Sequence, residues 1–147
     1  MLKDLPDHHD ADLILKLYDL RREPVMRESR NRIFAEFMPV SADEVIAVYQ
    51  AGHPLNAALR QTLGYWEMAF GMARHGIVHA DYLAENCTEG LNLFARVEPF
   101  LPVLREKLSP SFARNAEWLV KNSTSAREVF QRMQARMQHA RAAKAKA

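Results

Sequence analysis

Between residues 59 and 75 apolar side chains recur at close to helical spacing. Leu59, Leu63, Trp66, Phe70 and Ala73 fall on one line, with Tyr65, Met68, Ala69 and Met72 beside it. A helix that is apolar most of the way round is buried. The pattern therefore predicts a central helix over about residues 54–75, with the other helices packed around it. What remains is a narrow stripe of Arg60, Gly64, Glu67, Gly71 and Arg74. A glycine inside a helix costs about 1 kcal/mol relative to alanine, so Gly64 and Gly71 predict a close helix crossing, with Gly90 as its contact on a neighbouring helix.

The same reading divides the rest of the chain. A first helix starts near Asp10 and turns Leu13, Ile14, Leu17, Tyr18 and Leu20 inward, until Pro24 removes a backbone donor. A second, over residues 25–38, carries Met26, Ile33, Phe34 and Phe37 inward, with Arg30 on the same line. Ser41 and Glu44 form a capping box before a short helix through Val45, Val48 and Tyr49. Gly52 ends that helix and Gly76 ends the central one. Residues 80–97 read as one helix with a seam of Leu83, Cys87, Gly90, Phe94 and Val97, and residues 99–108 as a short one. Ser109 and Pro110 supply the cap and first turn of a helix containing Phe112, Ala116, Leu119 and Val120. Ser125 with Glu128 reads as the capping box of the last helix, whose inward line is Val129, Phe130, Met133, Met137 and Ala140. No stretch alternates with a two-residue period, so strands are not expected. The expectation is an all-α, single-domain bundle of roughly seven to eight segments over residues 1–147, with residues 1–9 and 142–147 frayed.

Composition changes this picture little. A chain of 147 residues builds one core without a metal or disulfide. The single cysteine, Cys87, has no internal partner, and no uncharged apolar run approaches membrane length. Asp4, Asp7, Asp10 and Asp12 occupy the N-terminal region where a secretion signal would be apolar, so a soluble, cytoplasmic protein is expected. The net charge of +2 names no partner, but from Arg127 onward six Lys or Arg accompany Glu128 alone.

Three stretches, LYDLRREPVMRESR, GYWEMA and VEPFLPVLREKL, together resemble a class of small bacterial all-helical proteins of unknown function. The resemblance covers about residues 13–118. It implies a helical fold and a bacterial origin, and it brings no activity whose residues could be carried onto these positions.

The chain has no catalytic signature, nucleotide loop or metal-ligand spacing, so neither catalytic residues, nor a metal, nor a cofactor is expected. Chemistry could hide at a few places. Glu67 is a carboxylate in a mostly apolar helix and needs a partner. Arg30, the one charged residue on the inward line of its helix, is the expected partner, as a buried ion pair or as the anchor of a small anion pocket. His8, His9, Asp10 and Asp12 form one potential metal cluster and His75, His79 and Asp81 another, but Gly76 interrupts the helical frame between His75 and His79. Cys87 on an apolar seam reads as a small buried hydrophobe rather than a nucleophile. In the last helix Phe130, Met133 and Met137 with Arg132 and Arg136 make an interaction-surface candidate, within the subunit or across a homodimer. The leading functional expectation is a non-catalytic protein-interaction or structural module. Its alternatives are a ligand-binding protein or enzyme built on Arg30 and Glu67, and a nucleic-acid binder using the basic last helix, although no recognition fold or aromatic platform supports nucleic acid.

Overall fold

Proline, glycine and short polar side chains mark where the helices start and stop. The computed structural model, which describes residues 2–147, follows most of those marks. The described residues form nine α-helices and one 3-10 turn: α1 (His8–Arg21), α2 (Pro24–Glu36), α3 (Ala42–Val48), α4 (Asn56–Arg74), α5 (Ala80–Asn86), α6 (Glu89–Val97), the 3-10 turn Glu98–Phe100, α7 (Leu101–Lys107), α8 (Arg114–Asn122) and α9 (Thr124–Lys146). The fold is all-α, with no strand among the described residues and no helix long and apolar enough to cross a membrane.

The core is built round α4, which packs against α2 and α8 and also touches α5 and α6. Leu59, Trp66 and Phe70 of α4 are buried with Ile33, Leu83, Leu91, Leu93, Leu104 and Leu119. The Trp66 and Phe70 rings stack at 5.8 Å between centroids, and truncating a buried aromatic of this kind costs about 3 to 5 kcal/mol. α6 passes directly over the two rings at Gly90, where a Cβ would lie 2.5 Å from Phe70 Cζ and 2.7 Å from Trp66. The crossing expected at Gly90 is thus glycine on aromatic rings, not glycine on glycine. Nothing lies within 4 Å of a Cβ at Gly64, so Gly64 is no part of a crossing, whereas a Cβ at Gly71 would meet Asn115 Nδ2 at 2.9 Å.

Several boundaries differ from the sequence expectation. The helix expected over residues 80–97 is two helices, broken at Cys87 and Thr88, with Cys87 at φ −133°, ψ 65°. The break lets α6 take its own direction across Trp66 and Phe70. α8 begins four residues after Pro110, because the Ser109–Phe112 segment closes as a turn, with Phe112 N–H donating to Ser109 O at 3.0 Å. α9 is capped by Ser123 Oγ, which accepts from Ala126 N–H at 3.0 Å; Ser125 lies inside the helix and bonds Glu85 at 3.1 Å. At α3, Ser41 accepts from Glu44 N–H at 3.2 Å as the capping box requires, but the Glu44 carboxylate reaches Val40 N–H at 3.0 Å.

The chain ends carry ordered contacts where fraying was expected. Lys3 Nζ lies 3.0 Å from both Asp7 and Asp10 carboxylates, and α1 starts at His8 because Asp7 and Asp10 cap it reciprocally. At the other end α9 continues to Lys146, and Lys144 Nζ donates to Met38 O at 2.7 Å.

Candidate functional site

Several charged side chains in this fold meet helix ends rather than an opposite charge. The N-cap of α8 is Ala113, which has φ 53° and no side-chain oxygen to satisfy the first amides of the helix. Those amides bond instead to Glu67 on α4. Asn115 N–H donates to Oε2 at 3.0 Å and Ala116 N–H to Oε1 at 2.8 Å. The Asn115 side chain lies over Gly71, with Nδ2 donating to Glu67 O at 2.9 Å and Oδ1 accepting from Arg74 Nη1 at 3.3 Å. The carboxyl of Glu67 is half-buried. Burial pushes its pKa above the ordinary carboxylate value, while the two amide bonds and the nearby Arg114 and Arg105 pull it part of the way back.

Arg30 does not meet Glu67. Its Nε donates to both carboxylate oxygens of Glu89, at 3.0 and 2.8 Å, and its Nη1 to Arg21 O at 3.3 Å; Arg21 joins the same carboxylate at 3.4 Å. Glu89 stands in the first turn of α6. The expected pair therefore fails for a geometric reason: both residues point inward, but Glu67 lies on the side of α4 that faces α8, and Arg30 points at the start of α6.

One site residue was not foreseen. Arg96 on α6 is only 6% exposed, has no carboxylate among its hydrogen-bond partners, and closes the end of α2. Its Nη1 donates to Ile33 O at 3.3 Å, Phe34 O at 3.4 Å and Phe37 O at 2.6 Å, and its Nε to Asn92 Oδ1 at 3.0 Å. The guanidinium lies 4.9 Å from the Phe34 ring centroid. Burial lowers its pKa from the ordinary guanidinium value. The signal available in the sequence was one arginine inside a run, Leu93, Phe94, Ala95 and Val97, that is apolar on every side.

The histidine and aspartate clusters have the same structural use. Asp10, fully buried, accepts from Asp7 N–H at 2.8 Å and from His79 N–H, at the start of α5, at 3.0 Å. His79 Nδ1 accepts from Tyr82 N–H at 3.1 Å. Asp81 accepts from Ser123 Oγ at 2.5 Å and Ser125 N–H at 3.2 Å, at the start of α9, and these bonds hold its carboxyl below the usual range. No group of three or more His, Cys, Asp or Glu among the described residues is arranged to hold a metal ion. Cys87 is buried, and burial pushes its thiol up to about 11, so it is a neutral thiol at physiological pH.

α9 packs on α5, α6 and α8 and buries Phe130 and Met137; the Phe130 ring lies 5.2 Å from that of Phe94 on α6, and Asn92 Nδ2 lies 3.4 Å from Met133 Sδ. Phe130 and Met137 are thus engaged within the chain, and Met133 is half-buried. Arg132 and Arg136 are exposed. Arg141 is not equivalent to them: its Nη2 donates to Ala95 O at 2.7 Å and Arg96 O at 3.1 Å, at the end of α6.

One strip of free surface lies along α4. Contrary to the expectation of a helix buried nearly all round, Arg60, Gln61, Gly64 and Met68 are exposed, Met68 to 47%. A hollow of about 330 Å³ lies to one side, lined by Tyr49, Arg60, Leu63, Gly64, Glu67 and the Ser111–Ala113 turn. A second of about 190 Å³ lies to the other, between Leu20, Glu23, Met26, Gln61 and Tyr65. Burial pushes the Tyr49 phenol up to about 12, so it stays protonated at neutral pH.

A family model described as a domain of unknown function, DUF4760, matches residues 6–123. The chain belongs to this family. The match runs from just before α1 to the residue that caps α9. No curated protein matches the chain, and no solved structure does.

Proposed function

We propose that this chain is a non-catalytic helical interaction module that binds protein through the exposed strip of α4 and the two hollows beside it. The observation that supports this reading is the engagement of the reactive side chains. Glu67, Asp10, Asp81 and Arg96 bond to backbone groups at helix ends, Arg30 to Glu89 and to Arg21 O, and Cys87 is a buried neutral thiol. An acid, base or nucleophile must be free to reach a substrate atom. What is free here is surface, with Met68 exposed one helical turn from the half-buried Tyr65.

The first partner to test is a second copy, forming a homodimer. The resemblance to bacterial proteins and the absence of a disulfide pair in a chain with one cysteine favour a bacterial cytoplasm as the setting. Nucleic acid is the weaker reading, because Arg141 and Lys144 bond to backbone carbonyls and leave few free cations on α9. Sedimentation velocity over a range of micromolar concentrations tests self-association. Reversible association of the wild type, lost in Met68→Glu with unchanged circular dichroism, is the expected result. A chain that sediments as a monomer throughout would overturn the homodimer.

A further inference from the structure

The polar stripe of α4 consists of two similar halves, and only one is occupied. Glu67, Gly71 and Arg74 follow at i, i+4 and i+7, and so do Arg60, Gly64 and Glu67 in the opposite charge order. In the first half a piece of polypeptide fills the seat. The Asn115 carboxamide lies over Gly71, its oxygen on Arg74, its nitrogen on Glu67 O, and its backbone N–H on the Glu67 carboxylate. In the second half nothing lies within 4 Å of a Cβ at Gly64, and the hollow of about 330 Å³ opens there.

We infer that the hollow over Gly64 is a seat for a carboxamide-bearing peptide segment, an asparagine or glutamine of a partner, with its oxygen on Arg60 and its N–H on the free lone pairs of Glu67. This rests on the interaction reading above and names the chemistry of the partner.

The groups needed are present and unused. Arg60 donates one hydrogen bond, from Nη2 to Tyr49 O at 3.3 Å, and its other N–H groups have no partner among the described residues. Its guanidinium lies 4.8 Å from the Tyr49 ring centroid, which holds the fork at the mouth of the hollow. Each Glu67 oxygen accepts one amide and keeps a lone pair. Tyr49 and Phe112, edge to face at 5.7 Å, form an apolar wall for the aliphatic part of the guest. Seven helical residues rise about 10 Å, the reach of about three extended residues, so a short segment spans the distance from Arg60 to Glu67.

The test is an NMR titration of the ¹⁵N-labelled full chain with N-acetyl-asparagine methylamide, with N-acetyl-alanine methylamide as the control probe. Saturable shifts at Tyr49, Gly64, Ser111 and Ala113 are expected with the asparagine probe and much weaker ones with alanine. Gly64→Leu fills the seat and abolishes them; the open space at that position leaves the fold intact, which a melting temperature no lower than that of the wild type verifies. Arg60→Gln weakens binding by about tenfold. No saturable shift, or equal shifts in Gly64→Leu, overturns the seat. If the shifts are absent while association through Met68 persists, this inference alone fails. Shifts present in a chain that never self-associates support the seat and overturn only the homodimer.

Discussion

Glu67 and Arg96 are opposite charges held by opposite ends of helices. Glu67 accepts the first amides of α8, where the helix dipole is positive, and Arg96 donates to the last carbonyls of α2, where it is negative. Neither has a side chain of opposite charge among its hydrogen-bond partners. They differ in reversibility. Arg96 is almost wholly buried and stays charged at any ordinary pH, so it is a fixed brace between α6 and α2. Glu67 is half-buried beside an open hollow and can take up a proton, so the hold of α4 on α8 is adjustable. The difference teaches that this fold neutralises inward charge with the backbone, and that the kind of ionisable group, guanidinium or carboxyl, decides whether the strength of the resulting brace varies with pH.

The largest expected effect breaks the fixed brace. Arg96→Met keeps much of the volume and leaves the Phe34 and Phe37 carbonyls at the end of α2 without the Arg96 donor, which should destabilise by about 1 to 3 kcal/mol for each carbonyl in urea unfolding. Arg96→Lys should recover part of that loss, since a single ammonium cannot reach both the α2 carbonyls and Asn92.

Glu67→Ala should cost less, about 1 to 3 kcal/mol, because the amides of α8 lie nearer water. A double-mutant cycle sharpens the comparison. Glu67 and Arg30 should show no coupling, whereas Arg30 and Glu89 should couple by about 1 kcal/mol, as for a partly buried pair.

The pH dependence separates the two ends further. The folded pKa of Glu67 is raised above its unfolded value, so its contribution is fully present below the unfolded pKa and declines as pH rises through the folded one. Asp81, with a lowered folded pKa, contributes in the opposite sense: stability present above its unfolded pKa and lost as pH falls through the folded value. The stability of the wild type relative to Glu67→Gln should accordingly rise as pH is lowered through the folded pKa of Glu67, in chemical denaturation followed over the acidic range. The same titration of Asp81→Asn should shift in the other direction.

How much of this was legible follows the same divide between line and neighbour. Periodicity located α4, α2 and α9 and put Trp66, Phe70, Ile33 and Phe130 in the core, because a repeat near 3.6 reports which side of a helix is inward. It does not report which element lies opposite, and that is why Arg30 was matched to Glu67 and not to Glu89. The break at Cys87 was hidden by a seam that stays in register across two short helices. The cap of α8 could not be read locally, since Ala113 has no side-chain oxygen and the acceptor of the Asn115 and Ala116 amides lies 48 to 49 residues earlier in the chain. For Gly64 and Gly71 the spacing pointed to a steric need, but only Gly71 has a neighbour.

The smaller effects test that last distinction. Gly71→Leu should push Asn115 off its seat and cost about 1 to 3 kcal/mol, while Gly64→Ala, facing open space, should be neutral or raise stability by up to about 1 kcal/mol through helix propensity. On α9, Arg132→Gln and Arg136→Gln should each change stability by no more than about 0.5 kcal/mol. Arg141→Gln should cost more than either, because Arg141 holds the last carbonyls of α6. Thermal unfolding of the single variants measures all five.

The claim that a distant carboxylate serves as the missing cap of α8 is tested most directly by hydrogen exchange at the two amides it accepts. In Glu67→Ala the Asn115 and Ala116 amides should exchange about tenfold faster or more, while amides in the middle of α8 keep their protection relative to global stability. Unchanged protection at Asn115 and Ala116 would contradict the account.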